Sequence, residues 1–229
     1  MNEQPQIVMF GGAFNPPHLG HRQCVEAVLT AFPEAKVVVM PGKVPASRAG
    51  VGKDVGTEFS MRLAMCQLAF SQIDQQRVSV SALEADLPSP NYTINTLRQL
   101  KKAYPDQRIA ILIGHDNFAK FASWQDPLPL FESADVLVAG RASLAGATSL
   151  RQMADNVLVE LGIKPTWGAG GNKASLPGYE HSLFLLPEVA HPAESSKLRT
   201  QQPQQRLQWL EPSVLNYIKE NSLYPEGVR

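Results

Sequence analysis

The sequence predicts a doubly wound α/β fold, in which a mainly parallel sheet carries helices on both faces. Short apolar runs rich in β-branched residues recur along the chain, and segments with helical periodicity separate them. The strand-like runs are apolar on both faces, as expected when helices cover both sides of a sheet. Right-handed crossovers then bring the carboxyl ends of the strands to one edge, where such folds bind ligands.

Six runs are predicted to be strands, and four apolar faces are predicted on the helices between them. The strands span residues 7–10, 36–40, 77–81, 109–113, 136–139 and 183–186. The helix faces consist of Val25, Val28, Leu29 and Phe32, then Phe59, Leu63, Cys66 and Phe70, then Leu97, Leu100 and Tyr104, and last Leu150, Met153, Val157 and Leu161. A helical element at about 193–229 has Pro212 suited to a first turn and an apolar face that should dock on the core. The whole chain, 1–229, is predicted to form one domain.

Two stretches interrupt this alternation. Residues 41–57 contain four glycines, two prolines and three cations, which predicts a surface loop that closes over substrate. Residues 166–182 contain four glycines, and we expect a plain insertion there because few of their side chains are candidate ligands.

The composition restricts the class of partner. Lysine plus arginine equals aspartate plus glutamate at 21 each, so nonspecific binding to nucleic acid lacks its electrostatic driving force. The sequence has no signal-peptide pattern and no run near the ~18 apolar residues of a membrane span, so we expect a cytoplasmic protein without membrane partners. Cys24 and Cys66 form no C-x-x-C pair and are expected to fill core space in a reducing compartment.

Residues 11–21 read G-G-A-F-N-P-P-H-L-G-H and join the first apolar run to the first helix-like segment. The glycines let backbone N–H groups approach an anion, and the following helix start adds unpaired donors and partial positive charge. His18 and His21 lie on one helix face about 5–6 Å apart, near enough to contact neighbouring oxygens of one polyphosphate. A glycine pair alone usually marks only a turn, and a His-x-x-His pair could be half of a zinc site, but Leu19-Gly20 supplies no carboxylate. We interpret the segment as a nucleotide phosphate site.

This block resembles the G-G-x-F-N-P-x-H-x-G-H signature of the nicotinate mononucleotide adenylyltransferases, within the wider nucleotidyltransferase superfamily that shares the H-x-G-H turn. The resemblance implies that His18 and His21 are catalytic and donate to phosphate oxygens. The residues implied to bind ATP at this turn are Gly11, Gly12, Ala13, Phe14 and Gly20, with Asn15 on the substrate side.

Two further segments are similar to the same family. Residues 90–97 resemble S-Y-T-x-x-T-L, in which the turn before the helix receives the pyridine carboxylate, so Tyr92 and Thr93 are implied substrate ligands. Asn91 replaces the serine and should keep a polar cap, and capping alone is the simpler interpretation. Gly114 and Asp116, followed by Trp124, match G-x-D and a tryptophan. The resemblance gives the aspartate to the adenosine ribose and the tryptophan to the pyridine ring.

Residues 193–199 match the family's I-S-S-T-x-I-R, which implies that Ser195, Ser196 and Arg199 hold the ATP triphosphate. Glu194 stands where a serine is usual, and its carboxylate repels a triphosphate unless Mg²⁺ or Lys197 offsets the charge. The closing segment is also close to the family's ending, so the resemblance runs from residue 8 to residue 224.

A substrate monophosphate needs a local cation. Lys43 and Lys53 are the candidates, in a basic loop that also contains Arg48, although the family's P-P-H-K is absent there. Arg141, after the fifth predicted strand, is a further candidate substrate ligand.

As a whole, the resemblance implies Mg²⁺-dependent adenylyl transfer from ATP to nicotinate mononucleotide, giving nicotinate adenine dinucleotide and pyrophosphate in NAD biosynthesis. No protein metal site is expected, because ATP phosphates and water would hold the Mg²⁺. One alternative is transfer to another phosphate monoester, such as nicotinamide mononucleotide or phosphopantetheine. Another is a nucleotide-binding sensor with weakened catalysis. The presence of Glu194 and the absence of P-P-H-K favour this alternative.

Overall fold

One mixed sheet organises the chain. The computed structural model describes residues 4–44, 56–141, 149–189 and 191–225. The sheet has the order β3-β2-β1-β4-β5-β8-β7-β6. Its strands are β1 Ile7–Gly12, β2 Lys36–Pro41, β3 Val78–Val80, β4 Ile109–Gly114, β5 Asp135–Arg141, β6 Thr166–Trp167, β7 Lys173–Ser175 and β8 Ser182–Val189. The first five of these strands and β8 pair in parallel, whereas β6 and β7 are antiparallel additions at one edge.

Helices cover both faces of this sheet, as the apolar strands predict. They are α1 Leu19–Ala31, α2 Phe59–Phe70, α3 Thr93–Ala103, α4 His115–Phe118, α5 Pro127–Ser133, α6 Leu150–Glu160, α7 Ser195–Thr200, α8 Pro203–Arg206 and α9 Pro212–Glu220. One buried apolar cluster lies on each face of the sheet, and α9 contributes Val214, Leu215 and Ile218 to one of them. The predicted doubly wound fold and the docked C-terminal helix are therefore both present. None of the helices in the described part of the chain has the length and hydropathy that a bilayer crossing requires.

All six predicted strands are present, and the differences lie in detail. The third is shorter than predicted and the last is longer. The buried stripe of α2 consists of Arg62, Met65, Cys66, Ala69 and Phe70. Cys66 and Phe70 of the predicted face are therefore confirmed, whereas Phe59 and Leu63 are only half-buried. Periodicity failed here because a fully buried arginine occupies a place that the pattern reserves for an apolar residue. Cys66 fills core space as expected, whereas Cys24 is only half-buried.

Residues 166–182 are more than a plain insertion. They contain β6 and β7, a hairpin that extends the sheet beside β8. Trp167 of this hairpin donates from Nε1 to Asp155 of α6 at 2.8 Å, and the Arg151 guanidinium lies over its ring at 4.5 Å. β6 is Thr-Trp and β7 is Lys-Ala-Ser, so neither is the apolar, β-branched run that marked the other strands, and the sequence did not reveal them.

The topology fixes where a ligand can bind. β1 has β2 on one side and β4 on the other, so the chain order reverses direction between β1 and β4. In open α/β sheets the crevice outside the carboxyl ends at such a switch point is the binding site.

Candidate active site

A cavity of about 640 Å³ lies at the carboxyl ends of β1 and β4. Segments that are distant in the chain meet around it, namely the β1–α1 turn, the start of α3, the residues after β4 and the start of α7. The predicted site residues that line the cavity are Gly11, Gly12, Ala13, Phe14, Asn15, His18, Gly20, His21, Tyr92, Thr93, Gly114, Asp116, Trp124, Ser195, Ser196 and Arg199.

The β1–α1 turn is built around one buried ring. Phe14 adopts a positive φ of 45° and is only 2% exposed, with its ring edge-on to the ring of His21 at 5.0 Å. A Cβ on Gly12 would come within 3.1 Å of the Phe14 ring, so a side chain there would require the ring to shift. Gly11 differs, since a Cβ there would meet nothing within 4 Å. The turn therefore leaves free space beside the backbone of Gly11, while the ring of Phe14 packs against the ring of His21.

The two motif histidines stack on each other, with ring centroids 3.7 Å apart. His18 is the N-cap of α1, and its backbone N–H donates to Nδ1 of His21 at 3.1 Å. Because Nδ1 accepts this hydrogen bond, a neutral His21 carries its proton on Nε2. Gly20 permits the stack, since a Cβ there would lie 3.1 Å from the His18 ring. The backbone thus presets one imidazole as a donor.

The start of α7 is fastened to the β1–α1 turn. The Ser195 hydroxyl donates to the Pro16 carbonyl at 2.9 Å, and Nη1 of Arg199 donates to the Asn15 carbonyl at 2.8 Å. The Tyr224 hydroxyl bonds to Oδ1 of Asn15, and burial raises the pKa of Tyr224 to about 12, which keeps that hydroxyl protonated. These contacts hold the serine-bearing segment against the histidine-bearing turn.

Glu194 lines the cavity, and Lys197 offsets its charge. Lys197 was one of the two expected sources of compensation, with Mg²⁺ as the other. Nζ of Lys197 donates to Oε1 of Glu194 at 2.8 Å. Both side chains are well exposed, so the pair adds little stability. Its consequence is local, because the carboxylate does not face a polyphosphate as an isolated negative charge.

At another wall of the cavity, α3 begins at Thr93 with Tyr92 as its N-cap. The first N–H groups of a helix have no carbonyl partner within it, and Tyr92 and Thr93 at the start of α3 line the cavity. The N–H of Asn95, further along the first turn, already donates to the Tyr92 carbonyl at 2.9 Å. The expectation that Asn91 caps this helix is wrong. Its Oδ1 accepts from the Val44 N–H at 2.7 Å and its Nδ2 donates to the Glu84 carbonyl at 3.3 Å, so it clamps the segment after β2 instead.

The wall after β4 carries an anion, a cation and an aromatic ring. Oδ1 of Asp116 lies 2.9 Å from Nε2 of His115, and the carboxylate remains 58% exposed. Trp124 is half-buried, and its ring packs on Phe121 at 5.2 Å. Lys120 also lines the cavity and was not among the predicted site residues.

The lysine and arginine side chains that were predicted to bind the substrate phosphate do not line the described part of the cavity. Nζ of Lys43 donates to the Ala85 carbonyl at 2.6 Å, and Lys43 is not among the described residues that line the cavity. This part of the structure therefore does not support a phosphate contact by Lys43. Arg141 ends β5, but its side chain lies outside the described residues, as do Arg48, Lys53 and most of the predicted loop 41–57.

Two buried polar residues that the sequence analysis missed hold the site together. Arg62 is fully buried and donates to the carbonyls of Thr57, Ala13, Gly42 and Lys43 at 2.7–3.1 Å. Burial lowers the pKa of this guanidinium from its usual value. Arg62 interrupts an otherwise apolar helical stripe, and that interruption was the available signal.

The second is Glu84, which lines the cavity beside the start of α3 and is 6% exposed. Its Oε1 accepts from the Thr96 hydroxyl at 2.7 Å, and the backbone of Lys43 also donates to its carboxyl group. Burial raises the pKa of Glu84 to about 7. No local motif marks this residue, because its partners come from two other segments.

Comparisons with known proteins identify the family of the chain. A family model described as cytidylyltransferase-like matches residues 9–199. A protein of Geobacter sulfurreducens named "Probable nicotinate-nucleotide adenylyltransferase" is 30% identical over 218 residues, covering 94% of this chain and 96% of that protein. A protein of the same name from Pseudoalteromonas atlantica is 30% identical over 97% of this chain and 96% of its own length.

Solved structures show the same architecture. The Plasmodium falciparum nicotinic acid mononucleotide adenylyltransferase, in complexes with APC and with NaAD, matches with a TM-score of 0.67 at 16% identity. Each match covers 96% of this chain and 98% of the other, and at this identity it shows a shared fold. From the family model and the relatives that match along nearly its whole length, the chain belongs to the cytidylyltransferase-like nucleotidyltransferases and, among them, to the nicotinate-nucleotide adenylyltransferase family.

Proposed function

We propose that this protein transfers the adenylyl group of ATP to nicotinate mononucleotide and forms nicotinate adenine dinucleotide and pyrophosphate, a step of NAD biosynthesis. The observation that carries the proposal is the meeting of the His18–His21 turn, the start of α3 and the start of α7 around one cavity. The names of the relatives support the same acceptor, as does the NaAD complex of the Plasmodium falciparum enzyme.

The reaction needs positioning more than acid–base chemistry. An oxygen of the acceptor's phosphate attacks the α-phosphorus of ATP, the bond from that phosphorus to the bridging oxygen breaks, and pyrophosphate leaves with the electron pair. A phosphate monoester is already ionised near neutral pH, so neither a general base nor a covalent intermediate is required. The chain's task is to align the two nucleotides and to stabilise the charge that develops on phosphate oxygens.

Each wall of the cavity has a role in this proposal. Nε2–H of His21 and the stacked His18 donate to phosphate oxygens, while Ser196 and the unengaged donors of Arg199 hold the leaving pyrophosphate. The open backbone at Gly11 and the Asp116 carboxylate receive the adenosine.

The acceptor binds at the opposite wall. The N–H donors at the start of α3 suit a pyridine carboxylate better than an uncharged amide, and Trp124 offers its ring face to the pyridine. Lys120, rather than Lys43, is the candidate cation for the acceptor's phosphate, because it lines the cavity.

Mg²⁺ would enter with the nucleotide. Within the described residues, no group of three or more histidine, cysteine, aspartate or glutamate side chains is placed to hold a metal ion. In this proposal the ATP phosphates and water hold the ion, because Mg²⁺ keeps several waters and binds substrate phosphates. When bound, it would neutralise part of the phosphate charge.

Pyrophosphate release tests the proposal directly. The protein is supplied with MgATP and, in separate reactions, nicotinate mononucleotide, nicotinamide mononucleotide or phosphopantetheine. We expect the highest kcat/KM with nicotinate mononucleotide. A preference for phosphopantetheine would contradict the acceptor, and ATP binding by calorimetry with no pyrophosphate release from any acceptor would indicate a sensor.

A further inference from the structure

A third histidine, outside the signature motif, forms part of the same cavity wall. His191 lies between the end of β8 and the start of α7, lines the cavity and is 9% exposed. Its ring is nearly parallel to that of His18, with an angle of 14° and a centroid distance of 6.4 Å. The ring of Trp209 packs edge-on against it at 5.2 Å. His191 is therefore held in a fixed orientation beside the catalytic pair.

The chain also fixes which nitrogen of His191 carries the proton. The backbone N–H of Ala193 donates to Nδ1 of His191 at 3.2 Å. A neutral ring with an accepting Nδ1 has its proton on Nε2. His21 is arranged in the same way by the backbone N–H of His18. In their neutral forms both imidazoles on this wall therefore carry the proton on Nε2.

His191 lies near the segment proposed to hold the leaving pyrophosphate, rather than near the start of α3, where the acceptor is proposed to bind. Ala193, which fixes its tautomer, is followed by Glu194, the N-cap of α7, and then by the two serines of that helix. Gly20 brings the α1 side close, because a Cβ there would lie 3.5 Å from Cβ of His191. His191 therefore sits where the histidine turn and the serine helix approach each other.

We propose that His191 is a further phosphate-binding residue whose Nε2–H donates to an oxygen of the pyrophosphate that leaves during adenylyl transfer. The inference rests on the proposed function, since it assigns a ligand within that site. Negative charge accumulates on the pyrophosphate as the bond to the α-phosphorus breaks, so a preset donor there stabilises the transition state and the product.

Two substitutions separate a donor from a packing residue. His191→Phe keeps a flat ring against Trp209 and removes the donor, whereas His191→Gln places an amide N–H near the former Nε2. Calorimetry with magnesium pyrophosphate should show a Kd about tenfold or more weaker for His191→Phe, as expected for a lost hydrogen bond to a charged group. His191→Gln should recover most of the affinity, and both variants should bind AMP within about twofold of the unaltered protein.

His181→Phe is the matched control, because His181 is equally buried but precedes β8 at the opposite end of the sheet, near Asp135. Unchanged pyrophosphate affinity in His191→Phe, or an equal loss in both His191 variants, would overturn the inference. Should His191→Phe fail to fold, ¹⁵N NMR of the unaltered protein decides, since pyrophosphate must shift Nε2 of His191 and an unmoved signal refutes the contact. If the unaltered protein binds neither magnesium pyrophosphate nor MgATP, the proposed function itself fails, and this inference with it.

Discussion

At the scale of single residues, the site depends on side chains whose hydrogen bonds are set before a substrate arrives. His21 shows this most clearly, because the backbone N–H of His18 donates to its Nδ1. The neutral ring therefore carries its proton on Nε2, on the other side of the ring. A donor of this kind acts most strongly where charge develops, so it affects the chemical step more than ground-state binding.

We therefore expect His21→Ala to lower kcat by about 10²–10³-fold, while the Kd for MgATP changes by less than about fivefold. Steady-state kinetics and calorimetry measure the two effects, and His181→Ala, remote from the cavity, serves as the control. Near-normal turnover in His21→Ala would remove this residue from catalysis.

Glu84 provides a test through pH. Burial raises its pKa from 4.5 to about 7, so the folded protein holds a proton that the unfolded chain has lost. The contribution of Glu84 to stability is fully present below pH about 4.5 and is lost as pH rises to about 7, by up to ~3 kcal/mol.

Glu84→Gln removes this titration, and its amide oxygen can still accept from Thr96. Urea unfolding at pH 4.5 and pH 7.5 should show a smaller drop in unfolding free energy for the variant than for the unaltered protein. Equal drops in the two proteins would mean that Glu84 titrates normally in the folded state.

At the scale of elements, α2 acts as a clamp rather than as a simple core helix. Its Arg62 donates to carbonyls on both sides of the cavity floor, after β1 and after β2. Removing the guanidinium leaves several carbonyls without their donors and frees both turns.

Arg62→Met should therefore destabilise the protein by about 3 kcal/mol and reduce kcat/KM for MgATP by about tenfold or more. Arg62→Lys should restore little, because one ammonium cannot reach carbonyls in several directions. The matched control is Arg98→Met on the exposed face of α3, which should change neither quantity. Full activity and stability in Arg62→Met would contradict the clamp.

The β6–β7 hairpin is an element without a place in the site, since none of its described residues lines the cavity. We expect Trp167→Ala to lower the free energy of unfolding by about 2 kcal/mol, through lost packing and the lost contacts to Arg151 and Asp155. Thermal or urea denaturation measures the loss. Below the melting transition kcat/KM should stay within about twofold, and a large drop there would give the hairpin a functional role.

The same elements show which features a sequence reveals. The six apolar runs predicted their strands, because a strand buried on both faces is apolar along its whole length and can be recognised from its own residues. The hairpin strands lack an apolar, β-branched run, and the α2 stripe was misjudged because its first buried side chain is charged. Asn91 and Lys43 were misplaced for another reason: their partners, Val44, Glu84 and Ala85, depend on how separate loops meet.

At the scale of the whole molecule, the parallel sheet gathers the site. The sequence predicted that the strands present their carboxyl ends at one ligand-binding edge, and the cavity at that edge contains residues near 15, 93, 116 and 196. His191 could not be assigned in this way, because its stacking on His18 depends on the final approach of α7 to α1. A formal charge of zero means that the phosphates must be held by these local contacts.

The most direct test of this account is a crystal structure of the protein with nicotinate adenine dinucleotide. We predict that the dinucleotide occupies the switch-point cavity, with its pyrophosphate beside His18 and His21, its adenosine ribose at Asp116 and its pyridine carboxylate at the start of α3. A dinucleotide bound elsewhere, or one whose phosphates lie away from both imidazoles, would contradict the central claim.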